Sequence, residues 1–202
     1  MTNYKAIATA ALMGVAVACT VPCASAQPLD STGCVNLSGF FMSAEDSDQA
    51  HDIAGFSLRL GFYVTETTEL FGECSFGEAL DVEDYLDYIM YTGLMGGLTQ
   101  YVPLSDMASL YFRAKAGATI RTVEYDTPYD DDDWFDDDDD SDSETYFTWA
   151  LGAGLSVSLT DNLSLEVGYD YIAIDAGDDF GDEHDDDWLA YHTIHAGLDI
   201  EF

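Results

Sequence analysis

Basic residues are scarce: five Lys and Arg stand against 40 Asp and Glu in 202 residues, for a formal net charge of −35. That excludes nucleic acid and anionic surfaces as partners, because no cation is left over to neutralise phosphates. Proline is scarce as well, with four residues, and so is cysteine, also with four. Two of the cysteines, Cys19 and Cys23, fall in a leader-like stretch, which leaves Cys34 and Cys74. Nowhere does the chain approach the roughly 18 continuous apolar residues that a membrane-spanning helix needs. Yet 48% of the residues are apolar, with 13 Tyr and 11 Phe, so the composition is not that of a disordered polyanion.

The first 26 residues read as a secretory signal. Lys5 supplies the positive charge, Ala6 to Ala18 the apolar stretch, and Ala24-Ser25-Ala26 a small-x-small cleavage site ahead of Gln27. A second reading makes Cys19 the lipidated cysteine of a lipoprotein. Cleavage after Ala26 removes Lys5 and leaves a mature chain of net charge −36. The expected organisation is a signal over 1–26, a short segment over 27–33 and one domain over 34–202.

In that domain the recurring pattern is alternation of apolar with polar or small residues, the period-2 signature of strands. Eight such segments can be marked, near 35–43, 53–64, 68–77, 88–101, 109–122, 145–159, 163–174 and 188–202. The second sets Phe56, Leu58, Leu60 and Phe62 against Ser57, Arg59 and Gly61. The sixth sets Phe147, Trp149, Leu151, Ala153 and Leu155 against Thr148, Ala150, Gly152 and Gly154. The fourth, rich in Gly and Met, is the least clearly patterned.

Short and long connections alternate. Thr65–Thr67, Pro103–Met107 and Thr160–Asn162 are short, whereas 44–52, 78–87, 124–144 and 175–187 are long and carry 30 of the 40 acidic residues without a Lys or Arg. That alternation is how an eight-stranded transmembrane barrel is built, with short periplasmic turns and long external loops. Pro103 and Pro128 are expected outside the strands, as a hydrogen-bonded sheet requires.

The charges decide which face meets lipid. Arg59, Arg113, Lys115 and Arg121, the basic residues downstream of the signal, all lie on the non-apolar face of their strands, as do Glu73, Glu166, Asp170 and Asp199. A soluble barrel core could not hold so many ionisable groups. The expectation is a lumen charge network of Arg59, Glu73, Arg113, Lys115, Arg121, Glu166 and Asp170, with the apolar face turned to outer-membrane lipid. The alternative is an open sheet whose charged face meets water. Because strand one should pair with strands two and eight, Cys34 and Cys74 are expected apart and reduced. Aromatic girdles are expected from Phe147, Trp149, Tyr171 and Trp188 at the outer ends and from Phe62 and Phe202 at the inner ends.

An eight-stranded barrel is just wide enough for side chains to fill, so a wide, porin-like channel is not expected. Catalysis would need His, Ser and a carboxylate together near a rim. His192, Thr193 and His195 lie on strand eight without an outward Ser beside them, and no catalytic residue is assigned. The run Asp130–Asp133, Trp134-Phe135, Asp136–Asp140 reads as a solvated, self-repelling segment. A sharper reading is weak Ca²⁺ binding, with Asp131, Asp132, Asp133, Asp137 and Asp138 as cation contacts, although no EF-hand spacing is present. A third reading is an adhesive contact with an extracellular ligand through this loop and the one at 175–187.

The stretch TDNLSLEVGYDY (160–171), the segment from Gly97 to Ala118 with its Pro103-Leu104-Ser105 turn, and the terminal Gly197-Leu198-Asp199-Ile200-Glu201-Phe202 resemble the OmpA/OmpX-like family of small outer-membrane barrels over roughly residues 34–202. The resemblance implies an all-β, eight-stranded antiparallel up-and-down transmembrane barrel; its motifs specify fold more than function, and the expectation of no enzymatic activity and no cofactor rests on the residues weighed above. The resemblance also implies that Leu198, Ile200 and Phe202 form the C-terminal signal read by the barrel-assembly machinery. The acidic loops depart from the family's usual composition.

Overall fold

The computed structural model describes residues 33–45, 51–80, 86–125, 141–175 and 188–202. The leader with Ala24 and Ala26, and the acidic run with Asp131, Asp132, Asp133, Asp137 and Asp138, lie outside the described residues. Eight strands follow in order: β1 (Gly33–Ala44), β2 (Ile53–Thr65), β3 (Thr68–Ala79), β4 (Leu86–Ser105), β5 (Ala108–Tyr125), β6 (Ser141–Thr160), β7 (Leu163–Asp175) and β8 (Trp188–Glu201). Each pairs antiparallel with its neighbours, and the sheet closes on itself as β1 pairs with β8. Closure continues past the ladder, where Gly33 and Phe202 exchange backbone N–H···O bonds of 3.1 and 3.0 Å. A closed sheet leaves no unpaired edge through the hydrocarbon layer.

The three short connections are alike. Each is a two-residue turn, at 66–67, 106–107 and 161–162. Each follows a break in register, between Tyr63 and Thr65, Pro103 and Ser105, and Ser158 and Thr160. In each, the strand's last hydroxyl accepts the backbone N–H two residues on: Thr67 to Thr65, Met107 to Ser105 and Asn162 to Thr160, at 3.3–3.4 Å. A Ser or Thr before the turn thus supplies the acceptor that the broken ladder withholds.

Pro103 departs from expectation, because it lies within β4, opposite Ser109. It is tolerated there because it sits at the register break, where a missing N–H costs no ladder bond. Cys34 likewise falls inside β1, not before it, and is buried. Strands β4, β5 and β6 run to 20, 18 and 20 residues, so the β5–β6 hairpin reaches the pair Glu124 and Ser141. Much of what reads as loop at either end of 124–144 is therefore strand.

Alternation sorts the side chains through the wall. Leu37, Phe56, Leu58, Leu60, Leu94, Leu155, Ile194, Leu198 and Ile200 are exposed on the outside, while Arg59, Glu69, Arg113, Glu166, Asp170 and Asp199 are buried within. At the outer end the interior turns apolar: Met42, Ile53, Tyr146, Ala150, Ile172, Ile174 and Tyr191 pack into one cluster, and the polar run Asp142–Thr145 of β6 is exposed. The sheet there is built as a soluble barrel is, apolar inside and polar outside, in contrast to the charged lumen beneath it.

Candidate functional site

Two strands carry the three cations. β2 brings Arg59, and β5 brings Arg113 and Lys115 two residues apart, so all three point inward by parity. β3 contributes Glu69 and Glu73, β7 contributes Glu166 and Asp170, and β8 contributes Asp199. All eight are at least nine-tenths buried.

The groups sit in layers. Nearest the two-residue turns, Cys34 donates to Glu69 Oε1 at 3.2 Å, Tyr101 donates to Glu69 Oε2 and Glu166 Oε1 at 3.0 Å, and Tyr63 donates to Glu201 at 3.0 Å. Next, Arg59 holds three carboxylates, with Nη2 at 2.9 Å from Glu166 and 2.8 Å from Asp199, and Nε at 3.2 Å from Glu69. Arg113 reaches Glu166 at 3.1 Å. Both guanidinium carbons lie 5.6 Å from the centroid of the Phe71 ring, which therefore separates the two cations by a cation–π contact to each. One layer further out, Lys115 Nζ bridges Glu73 at 2.7 Å and Asp170 at 3.1 Å. His195 Nδ1 stands 3.8 Å from Asp170, and its Nε2 lies 2.7 Å from the Tyr111 hydroxyl. Above come hydroxyl pairs, Ser38–Ser57 and Thr148–Thr119, each at 2.8 Å, and then the apolar cluster.

Six of the seven residues expected in the lumen network are thus brought together. Arg121 is not. Six residues further along β5 it is displaced by roughly 20 Å at strand rise, and it lies at the outer end, 3.9 Å from Glu144. Glu69, Asp199, Tyr101 and Asn36 belong to the network although they were not assigned to it. Parity was the available signal, since Glu69 is four residues before Glu73 and Asp199 four after His195. Asn36 donates to Glu166 and Asp199 at 3.2 and 3.4 Å.

Room for these long side chains comes from glycine. A Cβ on Gly154 or Gly168 would collide with the ring or hydroxyl of Tyr111. The outward histidine is differently placed: His192 Nδ1 lies 2.5 Å from the Tyr169 hydroxyl, beside the ring of Tyr171. Among the described residues neither His192 nor His195 addresses a serine; the side-chain hydrogen-bond partners of these two rings are the hydroxyls of Tyr169 and Tyr111. Trp149 lies 6.0 Å from Tyr171 and 6.5 Å from Trp188, an outer-rim group of rings. Cys34 and Cys74 are both free thiols on different faces of the wall. Leu198, Ile200 and Phe202 all face outward.

The family model for the outer membrane protein beta-barrel domain matches residues 7–202. The chain belongs to that family. Among curated proteins, an uncharacterized protein of Brucella abortus (strain 2308) is 31% identical over 50% of this chain and 44% of its own length, and one of Brucella melitensis biotype 1 matches equally. The chain therefore spans under half the length of these curated relatives. Among solved structures, the barrel is similar to Neisserial surface protein A, with a TM-score of 0.62, 12% identity, and coverage of 84% of this chain and 97% of that one. It is also similar to Ail, the attachment invasion locus protein of Yersinia pestis, in complex with the heparin analogue sucrose octasulfate. That TM-score is 0.52, with 16% identity and coverage of 85% and 97%. At such identities the likeness is one of fold. Membership of the family makes this an outer-membrane barrel of the Gram-negative type.

Proposed function

We propose that this outer-membrane barrel is a non-enzymatic structural component of the envelope. In this reading both termini and the three two-residue turns face the periplasm, and the four acidic connections face outward. The observation that carries it is the cross-section of the lumen, in which Arg59, Arg113 and Lys115, their five carboxylates and the rings of Phe71, Tyr101 and Tyr111 interlock. Such a barrel seals the membrane that it crosses. The test is twofold. Purified protein in planar bilayers is expected to give no stable conductance step, and a strain lacking it is expected to become more sensitive to detergent. A steady ohmic channel at neutral pH would overturn the reading.

The second reading, adhesion through residues 124–144 and 175–187, draws support from the likeness to the Yersinia attachment protein. The ligand class cannot be the same, because a polysulfate such as that protein's ligand would be repelled by a mature chain of charge −36. An adhesive partner of this chain would be cationic or bridged by divalent ions, with Ca²⁺ held by residues such as Asp131 and Asp138. Exchanging the two loops for uncharged ones and assaying attachment separates the readings. Leu198, Ile200 and Phe202 serve assembly in either case.

A further inference from the structure

Between the Lys115 layer and the apolar cluster lies a cavity of about 60 Å³. Its floor includes Glu73, Arg113, Lys115, Asp170 and His195, its girdle hydroxyls including Thr148 and Thr193, and its upper wall Met42, Ile53, Ile172 and Ile174. It is thus polar at one end and apolar at the other.

Two of the lining groups are unfinished. Asp170 Oδ1 and Thr193 Oγ1 are buried without a hydrogen-bond partner, and they belong to residues facing each other across the β7–β8 ladder. Asp170 gives its other oxygen to Lys115. A buried carboxylate oxygen with no donor forfeits its hydration without a replacement, so native structures seldom leave one unmet. The lumen as a whole is acidic: among the described residues three cations, Arg59, Arg113 and Lys115, face the five carboxylates Glu69, Glu73, Glu166, Asp170 and Asp199, although the cavity's own lining sets Glu73 and Asp170 against Arg113 and Lys115. What would complete the site is a hydrogen-bond donor, and the net acidity of the lumen favours one that carries positive charge.

A bare metal ion does not fit, because among the described residues no three His, Cys, Asp or Glu converge as metal ligands. A donor head with an apolar tail does fit. At roughly 10–15 Å³ per water-sized position, the cavity has room for about four heavy atoms. We propose that it is a binding site for a small alkylammonium ion, whose N–H groups donate to Asp170 Oδ1 and Thr193 Oγ1 and whose alkyl chain lies against Ile53, Ile172 and Ile174. The acidic connections, with 30 carboxylates and no Lys or Arg, would concentrate such cations at the outer mouth. This goes beyond the envelope role and does not depend on it, since a sealed barrel with or without a ligand remains structural.

The experiment titrates folded, detergent-solubilised protein with n-propylammonium, 1-propanol and K⁺ at constant ionic strength, following the Thr193 methyl resonance by NMR. A saturable shift with n-propylammonium is expected. 1-Propanol should bind at least tenfold more weakly, and K⁺ should give no saturable shift. Thr193→Val keeps every ion pair and should weaken binding several-fold, followed by calorimetry; Asp170→Asn should abolish it. If Asp170→Asn does not fold, as judged by gel mobility, Thr193→Val decides. Equal affinity for the amine and the alcohol, unchanged affinity in Thr193→Val, or no saturable shift at all, leaving a water-filled cavity only, would each overturn the proposal.

Discussion

Lys115 is the cation that Glu73 and Asp170 share, 2.7 Å from one and 3.1 Å from the other, and it ties strand β5 to both β3 and β7 across the lumen. Arg113, two residues away, has a different position. Its partner Glu166 is also held by Arg59, Asn36 and Tyr101. Removing one member of a buried pair costs about 3–5 kcal/mol when the partner is stranded, and less when other donors remain. Lys115→Met should therefore lower stability by about 3–5 kcal/mol, and Arg113→Met by about 1–3 kcal/mol. Urea midpoints in vesicles, read by the shift between folded and unfolded gel mobility, check the order. Equal losses would mean that the lumen does not divide the work in this way.

The second prediction concerns the space around Tyr111. Gly168→Ala places a methyl group where the Tyr111 hydroxyl lies, whereas Gly72→Ala meets nothing within 4 Å. Gly168→Ala should fold poorly and Gly72→Ala normally, a difference read as the fraction of heat-modifiable protein. In a Tyr111→Ala background part of the penalty at Gly168 should be relieved, because the shortest contact is to the Tyr111 hydroxyl, while the His195 ring, at 2.8–2.9 Å, remains. A penalty undiminished in that background would place its cause in the His195 ring.

Much of this architecture is legible in the chain because parity carries so much information. Once Arg59, Arg113 and Lys115 are seen on the face opposite Phe56, Leu58 and Phe112, a closed sheet with a polar lumen follows from the cost of charge in lipid. The short turns are legible for a similar reason, since Thr65, Ser105 and Thr160 are each followed at once by an acidic residue, Glu66, Asp106 and Asp161. What parity does not give is height. Arg121 has the correct face but is too far along β5 to join Lys115, and Glu144 reads as loop although it pairs with Arg121 in register. The apolar outer layer, Ile53, Ile172, Ile174 and Tyr191, was hidden because the sign of the alternation reverses near the outer rim, which the rings of Trp149, Tyr171 and Trp188 mark only once the strands are set at their heights. Nor could spacing say that Arg59 would hold three carboxylates, which depends on the stagger between β2, β7 and β8.

Location is the third prediction. The mature protein should begin at Gln27 (or its cyclised form), fractionate with outer membrane, and run faster on gels unheated than boiled. Deleting Phe202 also removes the paired backbone groups that close β8 on Gly33, so assembly should slow more than for Phe202→Leu, as measured by the rate at which the heat-modifiable form appears. Mass spectrometry showing lipid on Cys19 would overturn the cleavage site.

The last prediction rests on the charge of the third connection. Thirteen carboxylates lie in the stretch from Glu124 to Glu144, and Arg121, at the base of the hairpin, lies 3.9 Å from Glu144. Salt acting by screening should relax such a segment with Na⁺ and Ca²⁺ alike at matched ionic strength. If carboxylates such as Asp131, Asp132, Asp133, Asp137 and Asp138 converge on an ion, Ca²⁺ should act alone, in the range of about 10⁻⁴–10⁻³ M known for extracellular sites. Trp134 sits between the two Asp runs and reports on them. Trp149 and Trp188 would add signal from the rim, so the measurement uses a protein with both replaced by Phe. A saturable fluorescence change with Ca²⁺ that Na⁺ does not reproduce is the expected result. It should disappear when Asp131–Asp133 are changed to Asn, because three neutral amides keep the loop's size while removing the charge that would hold the ion. Identical responses to the two ions would leave repulsion as the loop's whole physics, and any adhesive role would then have to rest on its aromatic pair, Trp134 and Phe135.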